Sequence, residues 1–144
     1  MAKELFEEFF KKHNLNINIL ETEEKTHTAQ QAAYTHSVPI QNIVKSILVK
    51  IDKDFCLFLV PGNKQLDLEK KKKEFKTQKV RIANAQEVKN ITGYSIGGVP
   101  PFGHKEKLRT FVEKGFNEKE KLLAAAGSPN AVFKIELEEL EKIV

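Results

Sequence analysis

Lys45 and Ser46 are the residues best placed to do chemistry, because they stand together inside the apolar run IVKSILV. Side chains alternate between the two faces of a strand, so the lysine and the hydroxyl project from opposite faces. A lysine is costly to bury unless it is paired or has a function. The pattern leaves two interpretations open: an edge strand with Lys45 in water, or a half-buried cation that serves a site.

The second candidate is the loop TGYSIGGVPPFGHK, residues 92–105, which holds four of the seven glycines and two of the five prolines. Glycine permits positive φ and close approach of a ligand, and exposed N–H groups can then hold an anion or a carbonyl oxygen. Proline stiffens such a loop by fixing φ. The spacing matches neither a Walker loop nor a dinucleotide fingerprint. A plain connection between a helix and a strand is the other interpretation of the same composition.

The histidines and the single cysteine offer less. No two of His27, His36 and His104 have the spacing of a helical metal pair, so we predict no metal and no cofactor. His104 closes the glycine-rich loop and either touches a ligand or lies solvated at the surface. Cys56 lies in an apolar run without an adjacent cation, which is typical of a buried, inert thiol.

The elements that must position these residues are short and mixed. The patterns predict helices over residues 2–13, 28–37, 67–76, 84–92 and 136–144, and strands over residues 16–22, 42–52, 55–62, 79–83, 107–113, 120–127 and 131–136. Thr28 and Asn84 are candidate N-caps, and Gly93 follows a helix as a C-terminal glycine would. The second and third strands form a candidate hairpin. We therefore predict a single α+β domain over residues 1–144, built on a mixed sheet.

The composition limits the kinds of partner and cellular location that the protein can have. The 144 residues carry a net charge of +4, one cysteine and no apolar run long enough to span a membrane. We therefore expect no membrane partner and, by default, a cytoplasmic location. Only two cationic side chains are arginines, so contacts with a polyanion would be made by lysine point charges. The lysine run at residues 70–73, followed by Lys76 and Lys79, is either a solvated helix face or a phosphate-attracting one.

Four segments, taken in order, carry a resemblance: IVKSILV, FLVPGNKQLDLEKKKK, TGYSIGGVPPFGHK and LLAAAGSPNAVFKI. They resemble the YbaK family, also known as the prolyl-tRNA synthetase editing-domain family. The resemblance covers almost the whole chain. It implies a compact α+β domain with a mixed, barrel-like sheet flanked by helices. It also implies hydrolysis of aminoacyl-tRNA that carries a wrong amino acid.

The resemblance also assigns residues. The family's strand lysine falls on Lys45, and its loop places Gly97 and Gly98 beside the ester; these three are the catalytic candidates. The implied substrate-binding residues are Ser46, Gly93, Tyr94, Pro100, Pro101, Gly103, His104 and Gly127. A small amino-acid pocket is expected around Ala32, Ile47, Ala125 and Gly127. Some bacterial members carry an aspartate shortly after the late glycine, where this chain has Val132.

The implied function is that of a free-standing trans-editing deacylase. It would act on the acceptor end of tRNA(Pro) carrying alanine or cysteine, by attack of a positioned water on the ester. The missing aspartate favours alanine. A synthetase partner is an expectation from the family. A non-catalytic module that binds the acceptor end stays open as an alternative, and a plain small-molecule hydrolase has less support because no nucleophile–base pair is visible.

Overall fold

The computed structural model describes residues 2–15, 17–23 and 25–144. Within these ranges the chain forms five α-helices and seven strands. The helices are α1 (Ala2–His13), α2 (Ala29–His36), α3 (Leu68–Phe75), α4 (Ala85–Thr92) and α5 (Leu137–Ile143). The strands are β1 (Ile19–Glu21), β2 (Ile43–Ile51), β3 (Asp54–Pro61), β4 (Val80–Ile82), β5 (Arg109–Val112), β6 (Leu122–Ala125) and β7 (Ala131–Ile135).

All seven strands belong to one mixed sheet. Its order is β1-β7-β6-β2-β3-β5, and β4 also pairs with β2. The β2–β6 and β3–β5 pairs are parallel, whereas the remaining pairs are antiparallel. The predicted hairpin of β2 and β3 and the α+β class with a mixed sheet are confirmed. The sheet is open and not closed into a barrel, because β1 and β5 are its two ends and no pairing joins them in the described part of the chain.

The larger core lies on one face of the sheet. Side-chain alternation sends Val44 and Leu48 of β2 to this face, where they join Phe6 of α1, Tyr94 and Leu140 of α5 in one buried cluster. Helix α4 and the glycine-rich loop pack there as well, through Val88, Val99 and Phe102. This face is therefore covered by helices α1, α4 and α5 and by the loop.

Two short helices cover the opposite face at separate places. Ala32 of α2 packs with Ile43, Leu123 and Val132 near β6 and β7. At the other end, Phe75 of α3 packs edge-on against Phe58, with 6.3 Å between ring centroids. The strip of β2 between these two contacts carries Lys45, so the lysine lies where neither helix continues the apolar cover.

Local signals account for the helix ends. The Thr28 hydroxyl accepts a hydrogen bond from the Gln31 amide, and Asn84 forms a full capping box with Glu87, as expected for N-caps. Gly93 ends α4 in the left-handed conformation, with φ of +86°. The first strand is shorter than predicted, and Asn16 of that prediction lies outside the described residues. None of the described helices is long and apolar enough to cross a bilayer.

Candidate functional site

The candidate site lies where two strands diverge from the same edge of β2. Strand β6 pairs with β2 only at Ile43 and Val44, and β4 pairs with it only from Val49 onward. No described strand therefore pairs with residues 45–47 on this edge. Lys45 and Ser46, whose side chains project from opposite faces of β2, both line the pocket at this gap.

The pocket has a volume of about 350 Å³. That volume is within the range of small-ligand sites in proteins. Its walls come from the start of α2, from β2, from the glycine-rich loop and from β6 and β7. The lining residues are Thr26, His27, Thr28, Ala29, Gln30, Ala32, Ile43, Val44, Lys45, Ser46, Gly62, Ile96, Gly97, Val99, Leu123, Ala124, Ala125, Ala131 and Val132.

Lys45 supplies a half-buried cation to this pocket. Its strand is central, with β3, β4 and β6 as partners, so the interpretation of Lys45 on an edge strand is wrong. The ammonium donates a hydrogen bond to the backbone carbonyl of Lys64. Burial lowers the pKa of Lys45, because removal of water disfavours the charged form. No carboxylate of the described residues pairs with this ammonium, so its charge is available to an anion.

Ser46 supplies a hydroxyl without a partner. Its Oγ atom is buried, and no described residue forms a hydrogen bond with it. An unmet buried hydroxyl costs about 1–3 kcal/mol. Ser46 lines the pocket, but its Oγ atom is buried, so the substrate-binding role stays a prediction.

Gly97 is the loop residue that reaches the pocket. Its φ is +93°, and a Cβ atom there would lie 3.1 Å from Nδ1 of His27. Both observations require glycine, because other residues adopt this conformation only with strain and would press on the imidazole. The N–H of Gly97 makes no hydrogen bond within the described residues, which leaves it free to face a substrate oxygen.

Gly98 has a different role from the one predicted. Its N–H donates to the carbonyl of Ser95 at 2.9 Å, so this group is not free to hold a substrate oxygen. Its carbonyl accepts from the N–H of Gly127 at 3.0 Å, and a Cβ atom at Gly98 would come within 2.8 Å of Ser128. Gly98 and Gly127 therefore connect the glycine-rich loop to the late loop, residues 126–130 between β6 and β7. Neither glycine lines the pocket.

A second tie joins the late loop to the segment before α2. The amide of Thr26 donates to the carbonyl of Pro129 at 2.7 Å, and its hydroxyl donates to the same oxygen at 3.1 Å. Hydrogen bonds to backbone carbonyls therefore connect the three segments around Thr26, Gly98 and Gly127. These bonds fix the entrance of the pocket without a charged side chain.

The other predicted substrate-binding residues brace the loop against the core. The hydroxyl of Tyr94, which is fully buried, donates to the carbonyl of Gly103 at 2.5 Å, and burial raises the pKa of this phenol. Nε2 of His104 donates to the carbonyl of Pro100 at 2.7 Å; burial lowers the pKa of His104, and this hydrogen bond offsets part of the shift. Pro101 is buried too.

These bracing residues stand behind the pocket wall. Gly93, Tyr94, Pro100, Pro101, Gly103 and His104 are all absent from the lining. Their geometry supports a structural role for them, in contrast to Lys45, Ser46 and Gly97, which do line the pocket. Of the four residues expected around the amino acid, Ala32 and Ala125 line it, whereas Ile47 and Gly127 do not.

Sequence reasoning missed the contribution of the segment that leads into α2. The pocket is lined by Thr26, His27 and Gln30 as well. They lie about twenty residues or fewer before Lys45 in the sequence, but no motif connects them with it. The amide of His27 is held by the side chain of Gln31 at 2.8 Å. The N-cap at Thr28 was the one available signal, because it marks a helix N-terminus that can attract negative charge.

Two further candidates resolve as structural. The Cys56 thiol is buried, as expected, and burial raises its pKa, which disfavours the reactive thiolate. Within the lysine run, Lys71 is only 6% exposed, so the interpretation of a uniformly solvated face is wrong. Its ammonium contacts Glu113 at 2.8 Å and Glu74 at 3.1 Å. No three histidine, cysteine or acidic side chains of the described ranges cluster as metal ligands.

Comparison with protein families gives a match to the aminoacyl-tRNA editing domain over residues 23–143. The chain belongs to this family. The resemblance noted in the sequence is therefore confirmed, and the pocket described above is the cavity of an editing domain. The match begins just before the pocket-lining segment at Thr26 and includes β2, the glycine-rich loop and the late loop.

Individual relatives agree with this assignment. The editing domain is 33% identical over 99 residues to a proline–tRNA ligase of Staphylococcus haemolyticus strain JCSC1435, which is 69% of this chain and 17% of the ligase. It is 28% identical over 134 residues to the uncharacterized protein YwhH of Bacillus subtilis strain 168, covering 92% of this chain and 85% of YwhH. The chain thus spans a small part of the ligases that it matches.

Solved structures share the fold. A crystal structure provisionally assigned as a trans-editing enzyme for prolyl-tRNA synthetase superposes with a TM-score of 0.88 at 31% identity, covering 96% of this chain and 88% of the other. The crystal structure of hypothetical protein APE2540 superposes with a TM-score of 0.86 at 29% identity, covering 96% and 92%. Both support the single domain with a mixed sheet flanked by helices.

Proposed function

We propose that this editing domain is a deacylase that acts in trans on mischarged aminoacyl-tRNA. The substrate is tRNA(Pro) that carries alanine or cysteine, with alanine preferred. The observation that carries the proposal is that three residues line one pocket of an editing domain: Lys45, whose ammonium has no carboxylate partner among the described residues, and Gly97 and Ser46, whose N–H and hydroxyl have no hydrogen-bond partner there.

The reaction needs positioning more than a strong nucleophile. An aminoacyl ester is already activated, so water attacks its carbonyl carbon and the carbonyl oxygen becomes an oxyanion. The N–H of Gly97 faces that oxygen, and Lys45 holds the terminal phosphate or orients the ribose. Collapse of the tetrahedral intermediate breaks the bond to the ribose oxygen, which takes up a proton. The products are the free amino acid and the uncharged tRNA.

The apolar end of the pocket selects the amino acid. Ala32, Ala124 and Ala125 present only methyl groups there, and Leu123 and Val132 complete the wall. No carboxylate of the described residues lines the pocket, which favours the apolar side chain of alanine over a side chain that needs a polar partner. A pocket of small residues admits alanine or cysteine and excludes the pyrrolidine ring of proline, as a second sieve requires.

The described lining offers two side chains for proton transfer. Among the described residues that line the pocket, Lys45 and His27 alone carry titratable side chains. The imidazole of His27 stands beside Gly97, and imidazole is the side chain that most often serves as a general base. The remaining candidates are groups of the substrate or a second water. A His27→Gln variant separates these routes, since a route through substrate groups leaves its rate near that of the wild type.

The test is a deacylation panel. The protein is incubated with tRNA(Pro) charged with alanine, cysteine, serine or proline, and loss of the ester is measured against the spontaneous rate. We expect hydrolysis of the alanyl and cysteinyl esters, the alanyl ester faster, with the prolyl ester spared. Deacylation of none of them above the spontaneous rate would refute the proposal, and salt-dependent tRNA binding without hydrolysis would then favour the non-catalytic module.

A further inference from the structure

A second depression, the lysine groove, lies between α3 and the edge formed by β3 and β5. It has a volume of about 630 Å³. Lys64, Lys70 and Lys114 stand along it with exposed side chains, and Phe75 and Phe111 contribute partly buried rings. The deacylase chemistry proposed above uses none of these five side chains.

The carboxylates of the groove are all held by internal partners. Glu74 and Glu113 both contact the buried ammonium of Lys71. Asp67 caps α3 by accepting from the amide of Lys70 at 3.1 Å. By contrast, no carboxylate of the described residues pairs with the ammonium groups of Lys64, Lys70 or Lys114. The lining carries four lysines against three carboxylates, a net charge of +1, and three of the four lysines have ammonium groups without an ion pair among the described residues.

A hydrogen bond connects a residue of the groove to a residue of the candidate ester pocket. Lys45 lines the pocket, and its ammonium donates to the carbonyl of Lys64, which lines the groove. The side chain of Lys64 in turn donates to the carbonyl of Lys114 at 3.5 Å. Lys45, Lys64 and Lys114 are thus connected in series from the ester pocket to the groove, which is next to the pocket for a strand attached to the ester.

We infer that the lysine groove binds the phosphodiester backbone of the single-stranded RNA 3′ end next to the aminoacylated ribose. This inference rests on the proposed function for the ester in the pocket. Lysine recognises phosphate as a point charge, so the contacts position the strand and do not read its bases. Phe75 and Phe111 pack edge-on against each other, with 5.8 Å between ring centroids, and form an apolar wall of the groove.

The test compares two charge-reversal double variants. Lys70→Glu with Lys114→Glu changes the groove, and Lys12→Glu with Lys53→Glu makes the same charge change at exposed sites elsewhere. Binding of an uncharged acceptor-stem hairpin with a single-stranded 3′ end is measured by fluorescence anisotropy at several salt concentrations. We expect the groove variant to bind about tenfold more weakly or worse at low salt, with a log–log salt slope shallower by about 0.7 for each phosphate that the variant no longer neutralises.

A kinetic comparison adds a second readout. For the groove variant, the loss in kcat/KM on alanyl-tRNA should exceed its loss on 3′-alanyl-adenosine by at least about tenfold, through KM, because the small ester lacks the strand. Hairpin binding equal to that of the control variant, or equal losses on both esters, would overturn the groove. Deacylation failure of the wild type with groove-dependent hairpin binding would refute the deacylase alone. A wild-type protein that binds no hairpin would overturn the proposal that the lysine groove binds RNA, whatever its esterase activity.

Discussion

The ammonium of Lys45 donates to the backbone carbonyl of Lys64, and this bond joins the central strand β2 to the segment between β3 and α3. A carbonyl acceptor fixes the position of the amine without cancelling its charge. A carboxylate in the same place would have neutralised the cation and stabilised it as an ion pair. The arrangement therefore keeps a positioned positive charge at the pocket, at the cost of a lowered pKa.

Replacement of Lys45 by alanine should abolish most of the deacylation while the fold persists. Loss of one preorganised charged donor typically lowers kcat by about 10²–10³. Lys50→Ala is the matched control, because Lys50 lies on the same strand but outside the pocket, over the ring of Phe55. Initial rates on alanyl-tRNA and thermal melts of both variants make the comparison. An unchanged rate for Lys45→Ala would remove this residue from the site.

Gly97→Ala and Gly93→Ala should distinguish a glycine that lines the pocket from one that only supports the loop. Both glycines have positive φ, +93° and +86°, so alanine costs a similar amount of backbone strain, about 1–2 kcal/mol. At Gly97 the added methyl group presses on His27 in the pocket, whereas at Gly93 it meets the flexible end of Leu5 in the core. We expect comparable losses in stability by denaturant unfolding but a far larger loss of kcat/KM for Gly97→Ala. Equal kinetic losses would contradict this division.

Lys71→Ala should destabilise the protein far more than Lys72→Ala. Lys71 is buried and contacts Glu113 and Glu74, and their hydrogen bonds to its ammonium raise its pKa against the opposing effect of burial. Its removal takes charge-assisted hydrogen bonds from two partly exposed carboxylates and should cost about 2 kcal/mol of unfolding free energy. Lys72 makes only a more exposed pair with Glu69, worth about 1 kcal/mol or less. Urea unfolding of both variants measures the difference, and similar midpoints would count against the buried ion-pair assignment.

Stability should decline as the solution is acidified through the range of ordinary histidine titration. Burial lowers the pKa of His104 in the folded state, so the unfolded chain takes up its proton first as the pH falls. The free energy of unfolding is therefore unaffected by this group above about pH 7 and falls below about pH 6.5. His36 acts in the same direction. His104→Gln should show a shallower loss between pH 7 and pH 5 in urea unfolding, and an identical slope would exclude His104 as a contributor.

Local sequence signals were sufficient for most elements and for the first members of the site. The cap at Asn84, the glycine at Gly93 and the hairpin of β2 and β3 were predictable, because each depends on residues close together in sequence. Strands β5 and β6 were also predictable as strands. Their partners were not, because they pair in parallel with β3 and β2, and parallel pairing joins segments that no turn connects.

The lysine run shows where a local pattern is insufficient. Four consecutive lysines indicate a solvated helix face. Helical geometry nevertheless turns Lys71 towards the sheet, where its ammonium forms an ion pair with Glu113 from a distant segment. The same limit applies to Gly98. Its residue type allowed a free N–H, but the turn that closes on Ser95 engages that group.

The amino-acid sequence by itself determined the family, the α+β class and the identity of Lys45, Ser46 and Gly97 as pocket residues, because these follow from motifs and local propensities. Only the tertiary structure decided that β4 and β6 leave β2 at different points, which opens the gap that becomes the pocket. It also decided that the segment at Thr26 and His27 forms a wall of that pocket. The physical reason is that a cavity forms where separate segments of the chain leave space between them. Long-range packing fixes the positions of those segments.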